Sequence, residues 1–147
     1  MSERKIIYLD YAATSWPKPQ RVHDAMTAFA RDLGANPGRA LYRMAVEAGD
    51  AYEEARRMAA RFFSVKDHRR MVFTMNATDG ANMALKGLLR PGDHVVSSTF
   101  EHTCILRPLN RLAADGVIEV TRVAPEPDGR LNPRHVEAAL RENTRLV

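Results

Sequence analysis

Apolar positions recur along the chain with two different rhythms, and the change falls near residue 71. Before it, Val22, Met26, Phe29 and Leu33 stand at i, i+4, i+7 and i+11, which is one face of a helix. Pro19 suits the first turn of that helix, where a missing N–H costs nothing. Gly34 suits its end, and ANPGR (35–39) reads as a turn. Leu41, Ala45, Ala48, Tyr52, Ala55, Ala59 and Phe62 are then spaced alternately four and three apart. The seam is short and rich in alanine, so it predicts one long helix packed on a core rather than a coiled coil. Upstream, residues 6–14 open as a short apolar strand or extended arm, which the prolines of SWPKP break.

From Met71 onward short apolar runs alternate with helical stretches. MVFT (71–74) predicts a strand, and residues 78–89 a helix. RPGD (90–93) predicts a turn and HVVSS (94–98) a strand. Residues 104–114 are mostly helical, and 117–123 form a strand. Asn132 and Pro133 are the N-cap and first residue of another helix, and TRLV (144–147) opens one more strand. Strands alternating with short helices imply βαβ units and a mostly parallel sheet. The expected fold class is therefore α/β: an N-terminal arm and helices, then the first βα units of a doubly wound sheet. A chain that stops inside a strand leaves an open edge. These 147 residues are accordingly expected to be the N-terminal part of a longer protein, poorly soluble or partly disordered when expressed alone.

Composition narrows the function classes. A hydrophobic content of 45% is that of a globular protein. No apolar run approaches the ~20 residues of a membrane span, and MSERKIIYLD lacks the pattern of a secretory signal. Cys104 is the only cysteine, so no internal disulfide forms, and a reducing, cytoplasmic setting is expected. The net charge of +4 is modest and its arginines are scattered. Glu53 and Glu54 beside Arg56 and Arg57 read as a solvated helix face. A nucleic-acid surface needs a basic stripe interleaved with aromatics, which this sequence lacks, and no metal-ligand spacing appears.

In open α/β sheets, ligands bind beyond the carboxyl ends of strands. Two stretches hold that position. In NATDG (76–80) a helix begins, its first N–H groups are unpaired and its dipole adds partial positive charge. Ala77 and Gly80 are small enough to let an anion approach, and the Thr78 hydroxyl can donate to it, so the turn fits a phosphate cradle. It equally fits an ordinary cap in which Asn76 or Thr78 serves only its own helix. No lysine lies in the turn, which disfavours nucleoside triphosphates. In TFEHTC (99–104), His102 is placed to stack on a ring or shuttle a proton, or merely to cap a helix. Cys104 reads as an inert thiol.

Taken in order, YLDYAAT, NPGR, FTMNATDGANMALKGL, RPGDHVVSSTFEHTCILRPL and DGRLNPRHVEAALRENTRLV resemble the class V aminotransferase family, in its cysteine desulfurase and selenocysteine lyase branch. The resemblance covers almost the whole chain and implies a pyridoxal 5′-phosphate enzyme of fold type I. It implies that Ala77 and Thr78 hold the cofactor phosphate, with Asp79 where glutamate is commoner. His102 would stack on the pyridine ring and assist proton transfer. Asp10, Ala12, Ala13 and Thr14 match an arm on the substrate side, and Asn36 and Arg39 a loop near the entrance. Residues 1–40 would thus form an arm and first helix at that entrance, and 41–147 the beginning of the cofactor-binding domain.

The family's covalent cofactor lysine, its pyridinium partner, its carboxylate-binding arginine and its nucleophilic cysteine match nothing here. The lysines are Lys5, Lys18, Lys66 and Lys86, and the chain alone is expected to be inactive. For the whole protein the resemblance implies an amino-acid substrate, cysteine, converted to alanine with persulfide sulfur left on the enzyme. It also implies a homodimer and a sulfur-acceptor protein. Transamination or isomerisation within the family, or a non-catalytic module for a phosphorylated ligand, are the alternatives.

Overall fold

The computed structural model describes residues 6–38 and 41–147. The chain divides after Val72 into two units. In the first, the arm folds on itself rather than forming a strand. The Tyr8 hydroxyl lies 2.8 Å from the Thr14 carbonyl and 3.1 Å from that of Asp10. The Tyr8 ring meets Tyr11 edge-on at 5.0 Å and Trp16 at 5.6 Å. Helix α1 (Gln20–Ala28) follows Pro19 and widens into a π turn, Phe29–Leu33, that ends at Gly34. Helix α2 is Arg43–Phe62.

The seam expected along α2 holds only in part, and Tyr52 at its centre is 44% exposed. Ala45 and Ala48 are buried, and so is Ala60, which the spacing left out. Leu41 precedes the helix and is 99% exposed, and Phe62 at the other end is 81% exposed. The charged face is paired as expected: Arg56 to Glu53 at 2.7 Å and Arg61 to Glu54 at 2.9 Å. Arg56 does more than that. Its guanidinium also donates to the carbonyls of Met71 (3.0 Å) and Arg69 (3.1 Å), so it ties α2 to the short 3-10 turn His68–Arg70 and the residue after it. A planar fork of five donors in fixed directions suits a carboxylate and two carbonyls at once.

The second unit begins with α3 (Ala77–Leu88) and continues with β1 (Asp93–Ser98), α4 (Thr103–Ala114), β2 (Ile118–Val123), α5 (Pro133–Ala138) and β3 (Thr144–Leu146). The three strands are parallel in the order β2-β1-β3. Its core joins Leu85 and Leu89 with Val95 of β1, Leu109 of α4 and Ile118 of β2. Central β1 is buried at His94, Val95, Val96 and Ser98, whereas β2 is buried at Ile118 and Val123 and exposes Glu119. That difference follows from position, since a central strand has neighbours on both edges. From β1 the chain moves to one neighbour, then returns past it to the other. The carboxyl end of β1 is thus a topological switch point, where crevices open in such sheets.

The strand expected at 71–74 is absent from the described ladders. Met71 has extended dihedrals (φ −87°, ψ 121°). Alternating or apolar pattern selects that conformation, but a strand is defined by a partner, and none of β1, β2 and β3 pairs with these residues.

Within the sheet, His94 is fully buried. Its Nδ1 lies 2.8 Å from Thr144 Oγ1 of β3 and its Nε2 2.8 Å from Thr121 Oγ1 of β2, so one imidazole bridges all three strands. Burial first, and then the Arg141 guanidinium, push its pKa below the usual 6.5, with Glu119 opposing. The folded state therefore binds this proton less readily than the unfolded chain. His94 contributes stability above about pH 6.5 that is lost as the pH falls below it. In thermal unfolding, the midpoint should drop between pH 7 and pH 5, and more steeply in the wild type than in His94→Gln. Parallel profiles would show that the ring does not titrate with folding.

Candidate functional site

The first turn of α3 is built by Asn76. Its Oδ1 accepts the Asp79 N–H at 2.9 Å, and its carbonyl accepts that of Gly80 at 3.2 Å. Two donors remain. Among the described residues no backbone carbonyl takes the N–H of Ala77 or Thr78, and no hydrogen bond uses the exposed Thr78 hydroxyl. The cap reading of NATDG is therefore correct for Asn76, and the cap leaves open the donors an anion needs. The small size of Gly80 has another use than the one expected. A Cβ there would stand 3.2 Å from Thr74 Oγ1, whose hydroxyl donates to the Asn76 carbonyl at 3.0 Å. Gly80 lets the incoming chain pack on the helix.

His102 is the N-cap of α4. Its Nδ1 accepts the Cys104 N–H at 3.2 Å, and its carbonyl accepts those of Ile105 (2.9 Å) and Leu106 (3.1 Å). A peptide N–H can only donate, so Nδ1 carries no proton and the neutral ring holds its proton on Nε2. The ring is exposed, and Cys104 is half-buried.

The two helix starts belong to one region. Thr78, Asn82 and Lys86 of α3 face Thr103, Cys104 and Arg107 of α4 across a groove of about 420 Å³. Thr78 and the residues just after His102 thus line the same groove, although His102 itself does not. Lys86 and Arg107 give the groove positive charge, while Arg111 beside them is held by Asp115 at 2.8 Å. Spacing alone pointed to neither Asn82 nor Arg107. The signal was there in retrospect: Thr78, Asn82 and Lys86 are at i, i+4 and i+8, one stripe of a helix.

The remaining candidates lie in the first unit. Ala13 sits in a turn where its N–H meets the Asp10 carbonyl at 3.2 Å. Asn36 is exposed in the loop before α2. Arg39 lies outside the described residues. No group of three or more His, Cys, Asp or Glu among the described residues could hold a metal, and no helix among them is long and apolar enough to cross a membrane.

Comparison with known proteins completes the picture, because the model of aminotransferase class-V matches residues 7–147. The chain belongs to the class V aminotransferase family. Within the family it is cysteine desulfurase-like. It is 36% identical over 146 residues to the cysteine desulfurase IscS of Shewanella pealeana, and 38% identical over 147 residues to that of Stutzerimonas stutzeri. Each match takes 96% of this chain and 36% of the relative, so the chain spans little more than a third of the length of the curated relatives it matches. Among solved structures, the apo cysteine desulfurase from Thermococcus onnurineus NA1 superposes with a TM-score of 0.78 and 29% identity, over 90% of this chain and 34% of that one. SspA in complex with cysteine gives 0.80 and 33% identity, over 93% of this chain and 40% of that one. The class V aminotransferase family is pyridoxal-phosphate-dependent. The α3 turn fits the phosphate end of that cofactor: two open peptide N–H groups, one free hydroxyl and a methyl side chain at Ala77.

Proposed function

We propose that these residues form the N-terminal portion of a pyridoxal-phosphate-dependent cysteine desulfurase, and that the start of α3 binds the cofactor phosphate. The observation that carries the reading is the pair of open N–H groups at Ala77 and Thr78 beside the free Thr78 hydroxyl. Backbone donors and the helix dipole stabilise the anion without a lysine in the turn. His102 contributes from the neighbouring helix start. With Nδ1 engaged by Cys104 N–H, its Nε2 is the atom that can give or take a proton. Pyridoxal phosphate, when bound, supplies the electron sink that lets bonds at the substrate amino acid break. Ala13, Asn36 and Arg39 are proposed on the substrate side from family resemblance. The whole protein would act as a homodimer, take cysteine, release alanine and pass sulfur to an acceptor protein.

Covalent attachment of the cofactor needs a lysine, and we read neither Lys86 nor Lys18 as that residue. Lys86 is eight residues beyond Thr78 on the same helix, about 12 Å along its axis at 1.5 Å per residue. Lys18 is held by Thr14 Oγ1 at 3.0 Å and the Ser15 carbonyl at 3.2 Å.

The test assays the complete polypeptide and the 147-residue chain side by side, with cysteine and pyridoxal phosphate. In a single turnover, without reductant, the complete protein should release alanine and form enzyme persulfide in equal amounts, and the chain alone should match a free-cofactor control. Keto-acid formation in place of persulfide would assign a transaminase instead. Turnover by the chain alone would overturn these roles.

A further inference from the structure

The loop between β1 and α4 is tied down more tightly than a four-residue connection requires. Ser98, the last residue of β1, is buried, and its hydroxyl is used twice. It donates to Glu101 Oε1 at 3.0 Å and accepts the Phe100 N–H at 3.1 Å. Thr99 N–H donates to the Val123 carbonyl at the end of β2, at 3.1 Å. Every residue from Ser98 to Glu101 is therefore anchored to a strand end. The next residue is His102, fixed from its other side by the Cys104 N–H on Nδ1 and by its own carbonyl in the first turn of α4.

We infer that Ser98 and Glu101 are positioning residues for His102: their hydrogen bond sets the entry of the chain into α4, so that the imidazole is presented with Nδ1 blocked and Nε2 free. The inference rests on the proposed role of His102 and extends it to the residues that hold it. The chemistry of the pair suits the task. A hydroxyl donating to a carboxylate makes a charge-assisted bond, roughly twice as strong as a neutral one. The buried Ser98 oxygen also accepts the Phe100 N–H, so one side chain holds both ends of the turn. Glu101 contributes no proton in this arrangement. It is an anchor, and a glutamine offering the same carbonyl-type acceptor should replace it in large part.

The experiment uses the complete protein, first without cofactor. Hydrogen exchange followed by mass spectrometry reads the peptide covering residues 99–106. Ser98→Ala and Glu101→Ala should speed exchange there about 10-fold or more, and the double variant should add little to either. Glu101→Gln should stay within about 3-fold of wild type. In protein labelled with 15N-histidine, the His102 ring, assigned with a His102→Gln variant, should show one tautomer with the proton on Nε2 in the wild type and a mixture in Ser98→Ala. With cofactor, kcat should fall in Ser98→Ala and Glu101→Ala while cofactor affinity changes little, and Glu101→Gln should restore kcat. Unchanged exchange and an unchanged ring spectrum in both alanine variants would overturn the inference. So would a loosened loop with wild-type kcat. Failure of the desulfurase reading would look different: no turnover in any variant, wild type included, while the exchange and ring spectra still decide whether the pair orients His102.

Discussion

His102→Asn should lower turnover of the complete enzyme about 10²- to 10⁴-fold, the usual worth of a positioned general acid or base. Asparagine is chosen because His102 has two jobs. Its Nδ1 caps α4 by accepting the Cys104 N–H, and asparagine is among the best N-cap residues. The substitution removes the imidazole and its Nε2 proton while keeping a cap acceptor. Thermal stability should therefore stay close to wild type, and the phosphate end of the cofactor, held at α3, should bind within a few-fold. Steady-state kinetics and a cofactor titration on the same preparation check both parts. A variant that loses stability and activity together would reduce His102 to a helix cap.

Leu109→Ala should cost about 2–5 kcal/mol of unfolding free energy, the range for deleting a buried leucine side chain with incomplete collapse of the cavity. Leu109 is 1% exposed and belongs to the cluster of Leu85, Leu89, Val95 and Ile118. It sits on α4 and so links the helix that begins after His102 to α3 and the sheet. Leu88→Ala is the control: it is on α3 but 46% exposed, and its loss should be well under half as large. Urea unfolding of both variants measures the difference. Equal costs would mean that this cluster is not the core of the second unit.

What the sequence disclosed depended on how local the code was. Asn132 and Pro133 carry a helix start in two residues, and α5 begins at Pro133 with Asn132 capping it. Asn76 does the same for α3. The α/β class followed from alternation alone, and the parallel order β2-β1-β3 agrees with it. Residues 71–74 show the limit, because a strand needs a partner that no local pattern names. The seam on α2 failed at Leu41 and Phe62 because spacing reports a face but not what covers it. At the site, NATDG and TFEHT were legible as helix starts, TFEHT at the carboxyl end of β1. The Ser98–Glu101 bond and the double use of Arg56 were not, since each depends on where a loop returns. Gly80 and Arg56 each have a second use for the same reason, the one against Thr74 and the other on the carbonyls of Met71 and Arg69.

The central claim is that the α3 start binds a phosphate through Thr78 and its neighbouring N–H groups. The measurement that bears on it most directly compares two ligands, pyridoxal phosphate and pyridoxal, on wild type and Thr78→Val in the complete protein. Valine keeps the shape and removes one donor to a charged group, a loss of about 1.5–3 kcal/mol. Affinity for pyridoxal phosphate should fall roughly 10- to 150-fold, and affinity for pyridoxal should not change. An equal loss for both ligands, or no loss for either, would contradict the account.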